Sequence, residues 1–193
     1  MTDDNLDEEW MEAVCRGDRQ AYQSLVHRHS QAIAHYAYRL LDNAAEAEDI
    51  TQETFLRLWL NAHKWQPDKA RLTTWLHRIT HNLCVDLQRK QGRMQTGNDG
   101  EEMDRQSADK STSWQATRQD EAGVQPDAVA QDAQLQLLRQ ALNELPENQR
   151  SALTLCTFSG FSNQEAAAIM GLSVKALESA LARARRSLRD KWA

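Results

Sequence analysis

The sequence predicts an all-α protein made of two small helical domains joined by a flexible linker. Apolar residues recur every three or four positions through most of the chain, which is the spacing of one face of a helix. Only seven glycines and three prolines occur among the 193 residues. Residues 92–127 show no period and are acidic and rich in small polar side chains, a composition typical of flexible linkers. We therefore expect domains at 1–91 and 128–193.

Capping residues set the limits of the first helices. After an acidic lead-in and a short helix, Gly17 ends the helix and Asp18 can cap the next one, which runs to about Leu41. Asn43 followed by Glu46 has the pattern of a capping box, in which each side chain bonds a backbone amide of the other residue. These signals predict three consecutive helices, the third of which starts at Asn43.

The third helix carries two leucines on an otherwise polar and acidic face. One face is predicted to be buried and consists of Ala47, Ile50, Thr54, Leu58 and Ala62. The opposite face consists of Asp49, Gln52, Glu53, Leu56 and Leu60. Apolar groups rimmed by charge mark interaction sites. We interpret this face as a docking surface for a partner. The alternative is an ordinary solvated face on which two leucines happen to be exposed.

The fourth helix combines a core stripe with a stripe of basic and aromatic residues. Pro67 stops the preceding helix within the connection Trp65–Arg71, and the next helix is predicted from about Thr73 to Gln91. Its second stripe consists of Arg71, Trp75, Arg78, Asn82, Asp86, Arg89 and Arg93. Guanidinium, amide and indole groups on one face can bind phosphates, stack on bases and hydrogen-bond base edges. A plain basic solvent face is the alternative.

The second domain has the pattern of a helix-turn-helix. Pro146 begins a helix through Phe158, and Gly160 turns the chain. Ser162 and Glu165 predict a capping box for a short helix, which Gly171 ends before a final helix from Ser173 to about Lys191. The outer side of this last helix is basic, and residues 131–193 carry eight basic and six acidic side chains. A short helix, a glycine turn and a longer basic helix indicate DNA binding.

Other function classes find little support. Cys15, Cys84 and Cys156 are odd in number and widely spaced, which fits reduced thiols in a cytosolic protein. No apolar run approaches the roughly 18 residues of a membrane span. His77, His81 and Cys84 have a metal-like spacing, but we interpret them as surface histidines beside a buried thiol. No phosphate-binding loop or nucleophile elbow is present, so we expect no enzymatic activity, metal or cofactor.

Four sequence blocks, taken together and in this order, resemble an extracytoplasmic-function (ECF) sigma factor. They are EDITQETFLRLW at 48–59, WLHRITHNLCVDLQRK at 75–90, LNELPENQRSALTL at 142–155 and NQEAAAIMGLSVKALESALARARRSLR at 163–189. Members of this family have a helical region 2 and a helical region 4. The resemblance implies a non-enzymatic subunit that directs bacterial RNA polymerase to promoters, in a stress or envelope response.

The resemblance also implies roles for individual residues. The surface that docks on the clamp coiled coil of the largest polymerase subunit would be Asp49, Gln52, Glu53, Phe55, Leu56 and Leu60. The minus-ten element would be read and melted by Lys69, Arg71, Trp75, Arg78, Asn82, Asp86, Arg89 and Lys90, with the Trp65–Arg71 loop capturing a flipped base. The minus-thirty-five element would be read by Ser173, Lys175, Ser179, Arg183 and Arg186.

The partners follow from the same resemblance. They are the polymerase core, including the flap of its second-largest subunit, promoter DNA and an anti-sigma factor, all met in the cytoplasm without insertion into a membrane. We expect no further regulatory domain after the last helix. The pattern departs from the family at Ala180, where members often have a basic residue, and at the neighbouring Glu178 and Ala182.

Two other functions remain open at this point. A conventional helix-turn-helix repressor with a ligand-sensing N-terminal half would bind DNA without polymerase. A cytosolic metal-dependent enzyme would bind metal when purified.

Overall fold

The structure is a computed structural model that describes residues 3–96, 137 and 139–192. In the N-terminal part the helices are α1 (Asp3–Cys15), α2 (Arg19–Leu41), α3 (Ala44–Asn61), which a 3-10 turn (Ala62–Lys64) extends, and α4 (Leu72–Thr96). In the C-terminal part a helical segment over 139–143 precedes α5 (Glu147–Leu153), a π-helical turn (Thr154–Phe158), α6 (Asn163–Met170) and α7 (Val174–Trp192). The described residues contain no strand, so the all-α prediction is confirmed.

The predicted caps form by local hydrogen bonds. Asp18 Oδ1 accepts from the backbone nitrogen of Gln20 at 2.8 Å and so starts α2. Ser162 and Glu165 make both bonds of a capping box at α6. Gly171 ends that helix with φ 65°, a left-handed conformation that glycine adopts without steric cost. These caps are set by residues close in sequence, which is why they could be predicted.

At α3 only half of the predicted capping box exists. Asn43 Oδ1 accepts from the backbone nitrogens of Ala45 and Glu46, at 3.0 and 3.2 Å. The Glu46 carboxylate does not return to Asn43 but accepts from Gln91 Nε2 of α4 at 2.7 Å. The capping-box prediction is therefore wrong in its second bond, because a partner distant in sequence occupies the carboxylate.

Helix α4 is longer than predicted, reaching Thr96 instead of Gln91. Residues 92–96, which we assigned to the linker, are therefore helical. The rest of the predicted linker, 97–127, including Trp114, lies outside the described residues.

Two apolar clusters hold the helices together. One lies within the first four helices and contains Met11, Val14, Leu25, Ile33, Phe55, Leu58, Leu72 and Leu76. The other joins residues of α2 and α4 to the C-terminal helices and includes Tyr36, Leu40, Cys84, Leu142, Leu155, Ile169, Leu177 and Leu181. The N- and C-terminal parts therefore share a buried core. Among the described residues, no helix combines the length and apolar character that crossing a membrane requires.

Candidate polymerase and nucleic-acid interfaces

The acidic face of α3 is open to solvent and displays both leucines. Leu56 is 49% and Leu60 61% exposed. Asp49 and Gln52 are exposed on the same side, and Glu53 is partly covered by an ion pair with Arg57, whose Nε lies 2.7 Å from Glu53 Oε1. Burying the leucines against a partner would remove apolar surface from water, while the charged rim would orient the contact.

Phe55 does not belong to this surface. It is only 4% exposed and packs in the N-terminal cluster with Leu58 and Leu76. Successive residues of a helix point about 100° apart, so Phe55 turns inward where Leu56 turns outward. Phe55 therefore supports α3 from inside the bundle and offers almost no exposed surface to a partner in this structure, contrary to its predicted place on the docking surface.

Helix α4 presents three different faces. Leu72, Leu76 and Thr80 face the N-terminal core, and the Thr80 hydroxyl lies 3.2 Å from that of Thr54 on α3. A second face, which includes His77 and Cys84, is also buried. The third face is exposed and holds most of the predicted minus-ten residues, namely Arg78, Asn82, Asp86, Arg89 and Lys90. Two buried faces thus fix the rotation of the helix that displays the third.

Trp75 is the exception in this set, because it is half-buried and packs against the N-terminal cluster. Its indole is not fully free for stacking on a base. Trp75 therefore lies at the edge of the exposed stripe, where one side of the ring supports the bundle.

The loop before α4 is held in a defined conformation. Trp65 is half-buried, and its indole Nε1 donates to the Ala70 carbonyl across the loop at 3.1 Å. Lys69 and Arg71 are exposed. Arg71 Nη1 lies 3.6 Å from Glu165 Oε1 of α6. The predicted base-capturing loop therefore places Lys69 and Arg71 at the surface, with Arg71 beside α6.

His77 and His81 are buried, contrary to the prediction that they lie at the surface. Each is 5% exposed. His77 Nδ1 donates to the Thr73 carbonyl at 2.8 Å, and a hydrogen bond of 3.0 Å joins His81 Nδ1 to the Tyr36 hydroxyl. Burial lowers the pKa of both imidazoles to about 4, so both rings are neutral at pH 7. The described residues include no group of three or more side chains placed to hold a metal ion.

Cys84 is fully buried near these rings, as predicted. Burial raises the pKa of its thiol to about 12. A thiol that stays protonated is a poor nucleophile and a poor metal ligand.

The last helix exposes a basic surface built on a helix-turn-helix. Its predicted DNA-binding residues, Ser173, Lys175, Ser179, Arg183 and Arg186, are all exposed. Arg183 Nε donates to the Ser179 carbonyl at 3.2 Å, and the Ser179 hydroxyl donates to the Lys175 carbonyl at 2.9 Å. The hydrophobic side, which includes Leu177 and Leu181, packs on α5 and α6.

Ala180, where the sequence departs from the family pattern, is buried. Ala180 is 3% exposed and belongs to the core that joins both parts, so it is not part of the outer face. Val174, at the start of α7, is apolar but 39% exposed. Glu178 and Ala182 do lie outside. The small side chain at Ala180 is therefore explained by packing and says nothing about which DNA sequence is read.

Comparison with known proteins identifies the family. A sequence model of Sigma-70 region 2 matches residues 25–94, and one of Sigma-70 region 4 matches residues 135–188. The ECF RNA polymerase sigma factor SigE of Mycolicibacterium smegmatis is 35% identical over 90% of this chain and 63% of its own length. The RNA polymerase sigma factor NccH of Alcaligenes xylosoxydans xylosoxydans is 33% identical over 97% of this chain and 95% of its own. The chain belongs to the ECF sigma factors.

Solved structures agree with this assignment. CnrH in complex with the cytosolic domain of CnrY superposes with a TM-score of 0.68 and 26% identity over 97% of each chain. The sigma factor RpoE of Bartonella quintana, in complex with the anti-sigma factor NepR, gives a TM-score of 0.64 and 26% identity over 88% of this chain and 94% of RpoE. The protein is thus a sigma factor that acts in transcription initiation, with region 2 in the N-terminal helices and region 4 in the C-terminal ones.

Proposed function

We propose that this ECF sigma factor delivers polymerase core to promoters through three exposed surfaces, without enzymatic activity and without a cofactor. The surfaces are the acidic face of α3, the exposed stripe of α4 with its preceding loop, and the outer face of α7. The observation that carries the proposal is that Leu56 and Leu60 stand exposed on an acidic helix face that the rest of the structure leaves uncovered.

The α3 face is proposed to bind the clamp coiled coil of the largest polymerase subunit. The test is co-purification with core, followed by run-off transcription. We expect Leu56→Arg combined with Glu53→Arg to abolish core binding and to leave the helical circular-dichroism signal unchanged. Glu12→Arg with Gln23→Arg is the matched control, because it changes the charge equally at two exposed positions on α1 and α2. Equal core affinity for both double variants would refute the role of this face.

The α4 stripe is proposed to read and open the minus-ten element. Arg78 and Asn82 lie one turn apart on the exposed face, so their side chains can reach neighbouring nucleotides of one strand. Extruding a base costs a few kcal/mol. Contacts of the base with the Trp65–Arg71 loop and of phosphates with the arginines would offset that cost.

Helix α7 is proposed to enter the major groove at the minus-thirty-five element, as recognition helices do. Its exposed cations can bind phosphates and guanine edges. Region 4 is further proposed to contact the flap of the second-largest polymerase subunit.

We also propose an anti-sigma partner and a role in a cytoplasmic response to envelope or other stress. The solved structure of RpoE with NepR shows that a sigma factor of this fold forms such a complex. An inhibitor that covers Leu56 and Leu60 would compete directly with core. We expect Leu56→Arg to weaken both complexes. A partner screen that recovers only core, together with activity at every expression level, would contradict this part of the proposal.

A further inference from the structure

Helix α7 carries its charges unevenly along its length. Its first two turns, residues 174–181, contain one cation, Lys175, and one anion, Glu178. The rest of the helix contains five cations, namely Arg183, Arg185, Arg186, Arg189 and Lys191. In a helix-turn-helix the N-terminal residues of the recognition helix contact base edges. Glu178 therefore lies where bases would be read, whereas most cations lie further along the helix, where they can bind phosphates.

The Glu178 side chain is exposed and is held by a neighbouring helix. Its Oε1 accepts a hydrogen bond from Asn163 Nδ2 of α6 at 3.5 Å. The Asn163 amide is in turn oriented by Cys156, whose Sγ donates to Asn163 Oδ1 at 3.7 Å. Burial raises the pKa of the Cys156 thiol, so the thiol keeps the proton that it donates. The carboxylate is thus oriented before DNA binds, and less side-chain entropy remains to be lost on contact.

The Glu178 carboxylate keeps most of its hydrogen-bonding capacity. It forms no ion pair with any residue that the structure describes, and the bond from Asn163 uses one of about four acceptor positions. Val174 and Ala182, four residues before and after Glu178, are exposed and apolar, so neither can neutralise the charge. Acceptor positions therefore remain for a ligand that brings a hydrogen-bond donor.

An unpaired carboxylate is unfavourable on a helix that approaches DNA, because the phosphates repel it. A base edge can offset this repulsion only if it offers a donor. In the major groove, guanine presents two acceptors, and thymine presents an acceptor and a methyl group. Adenine presents an amino group beside the N7 acceptor, which would also repel a carboxylate. Cytosine presents its N4 amino group without such an acceptor, so it is the base that fits a carboxylate best.

We propose that Glu178 selects a cytosine at one position of the minus-thirty-five element by accepting a hydrogen bond from the N4 amino group in the major groove. At promoters with cytosine in this position, the contact offsets the repulsion by phosphates. At all other sequences the repulsion stays uncompensated, so Glu178 acts mainly by excluding wrong sites. Because the contact requires α7 to enter the major groove, it rests on the proposed function and adds the identity of one base.

Base selection by the holoenzyme tests this contact. A promoter would first be selected from random DNA with core and the full chain, and its minus-thirty-five region would then be randomised. We expect the wild type to select cytosine at one position. Glu178→Ala should lower this preference about tenfold, within the usual cost of one mismatched base pair. Glu178→Gln should shift the preference toward adenine, because an amide can donate to N7 and accept from N6.

Asp190→Asn is the matched control, because it removes one negative charge from an exposed position near the other end of the same helix. Like Glu178→Gln, it should bind DNA of any sequence more tightly, since the phosphates are repelled less. Unlike Glu178→Gln, it should keep the wild-type preference for cytosine. If Asp190→Asn also lost that preference, net charge would explain the effect and the proposed contact would be wrong.

A modified base connects Glu178 to the atom that it is proposed to contact. N4-methylcytosine keeps the hydrogen that pairs with guanine but carries a methyl group in place of the hydrogen that faces the major groove. We expect this base at the selected position to weaken wild-type binding about tenfold and Glu178→Ala binding less than about twofold. Equal losses in the two proteins would refute the contact.

Two outcomes distinguish failure of this contact from failure of the proposed function. A holoenzyme that selects no sequence in the minus-thirty-five region would contradict the role of α7 and the contact together. A selected sequence that both Glu178→Ala and Glu178→Gln leave unchanged would overturn the contact alone, and the role of α7 in promoter binding would stand.

Discussion

Truncating the two exposed leucines of α3 gives a quantitative test of polymerase docking. Burying a whole leucine side chain contributes about 2 kcal/mol. Since Leu56 is 49% and Leu60 61% exposed before binding, each can add only about 1 kcal/mol on docking. We therefore expect Leu56→Ala to weaken the complex with core about fivefold and the double truncation to weaken it about 30-fold.

Competition binding against labelled core measures these changes, and circular dichroism with urea unfolding checks that the fold survives. Stability should hardly change, because both side chains already face water. Leu137→Ala is the matched control, since Leu137 is 56% exposed but lies in the C-terminal part of the chain; we expect less than a twofold effect. A double truncation that costs less than twofold would show that the α3 face does not bury its leucines against core.

Three further predictions concern the exposed stripe of α4, the outer face of α7 and the two buried histidines. Arg78→Ala with Asn82→Ala should reduce open-complex formation, and a pre-melted promoter bubble should rescue part of the loss; equal losses on both templates would leave only a phosphate-binding role. Arg186→Ala should lower the salt dependence of promoter binding by about one unit of slope, and an unchanged slope would place Arg186 away from the phosphates. Because burial lowers the pKa of His77 and His81 to about 4, the unfolded chain takes up protons first as the pH falls. Unfolding free energy should therefore be highest above pH about 6.5 and fall toward pH 4, by up to about 1.4 kcal/mol per pH unit for each ring, as urea titrations at pH 7 and 5 would show.

Features fixed by neighbours in the sequence could be predicted, and features fixed by distant residues could not. The caps at Asp18 and Ser162 depend on amides two or three residues away, so the residue types suffice. The Glu46 carboxylate instead bonds Gln91, which lies 45 residues further along the chain. A single helix pattern carries no information about such a partner.

The residues whose burial was predicted wrongly have the same explanation. His77 appears polar in the sequence, but its environment is supplied by Tyr36 and by Phe161, which lie on two other segments. Phe55 is next to Leu56 in the sequence. The family resemblance assigned both residues to the docking surface and did not distinguish the inward-facing position from the outward-facing one. A helical wheel drawn through Ile50, Thr54 and Leu58 places Phe55 beside the buried face and could have separated them.

The hydrogen bond within the Trp65–Arg71 loop bears on the base capture proposed above, because it orders the loop in advance. Fixing the backbone of one residue costs about 1–2 kcal/mol of conformational entropy, and the bond from Trp65 Nε1 to the Ala70 carbonyl helps to fix this loop before any DNA arrives. That entropy is lost once, when the protein folds, and not again at each promoter. In the base capture proposed here, an extruded base would bind a loop that is already ordered. Because no further entropy would be lost in ordering the loop, capture would compete well with re-stacking of the base into the duplex.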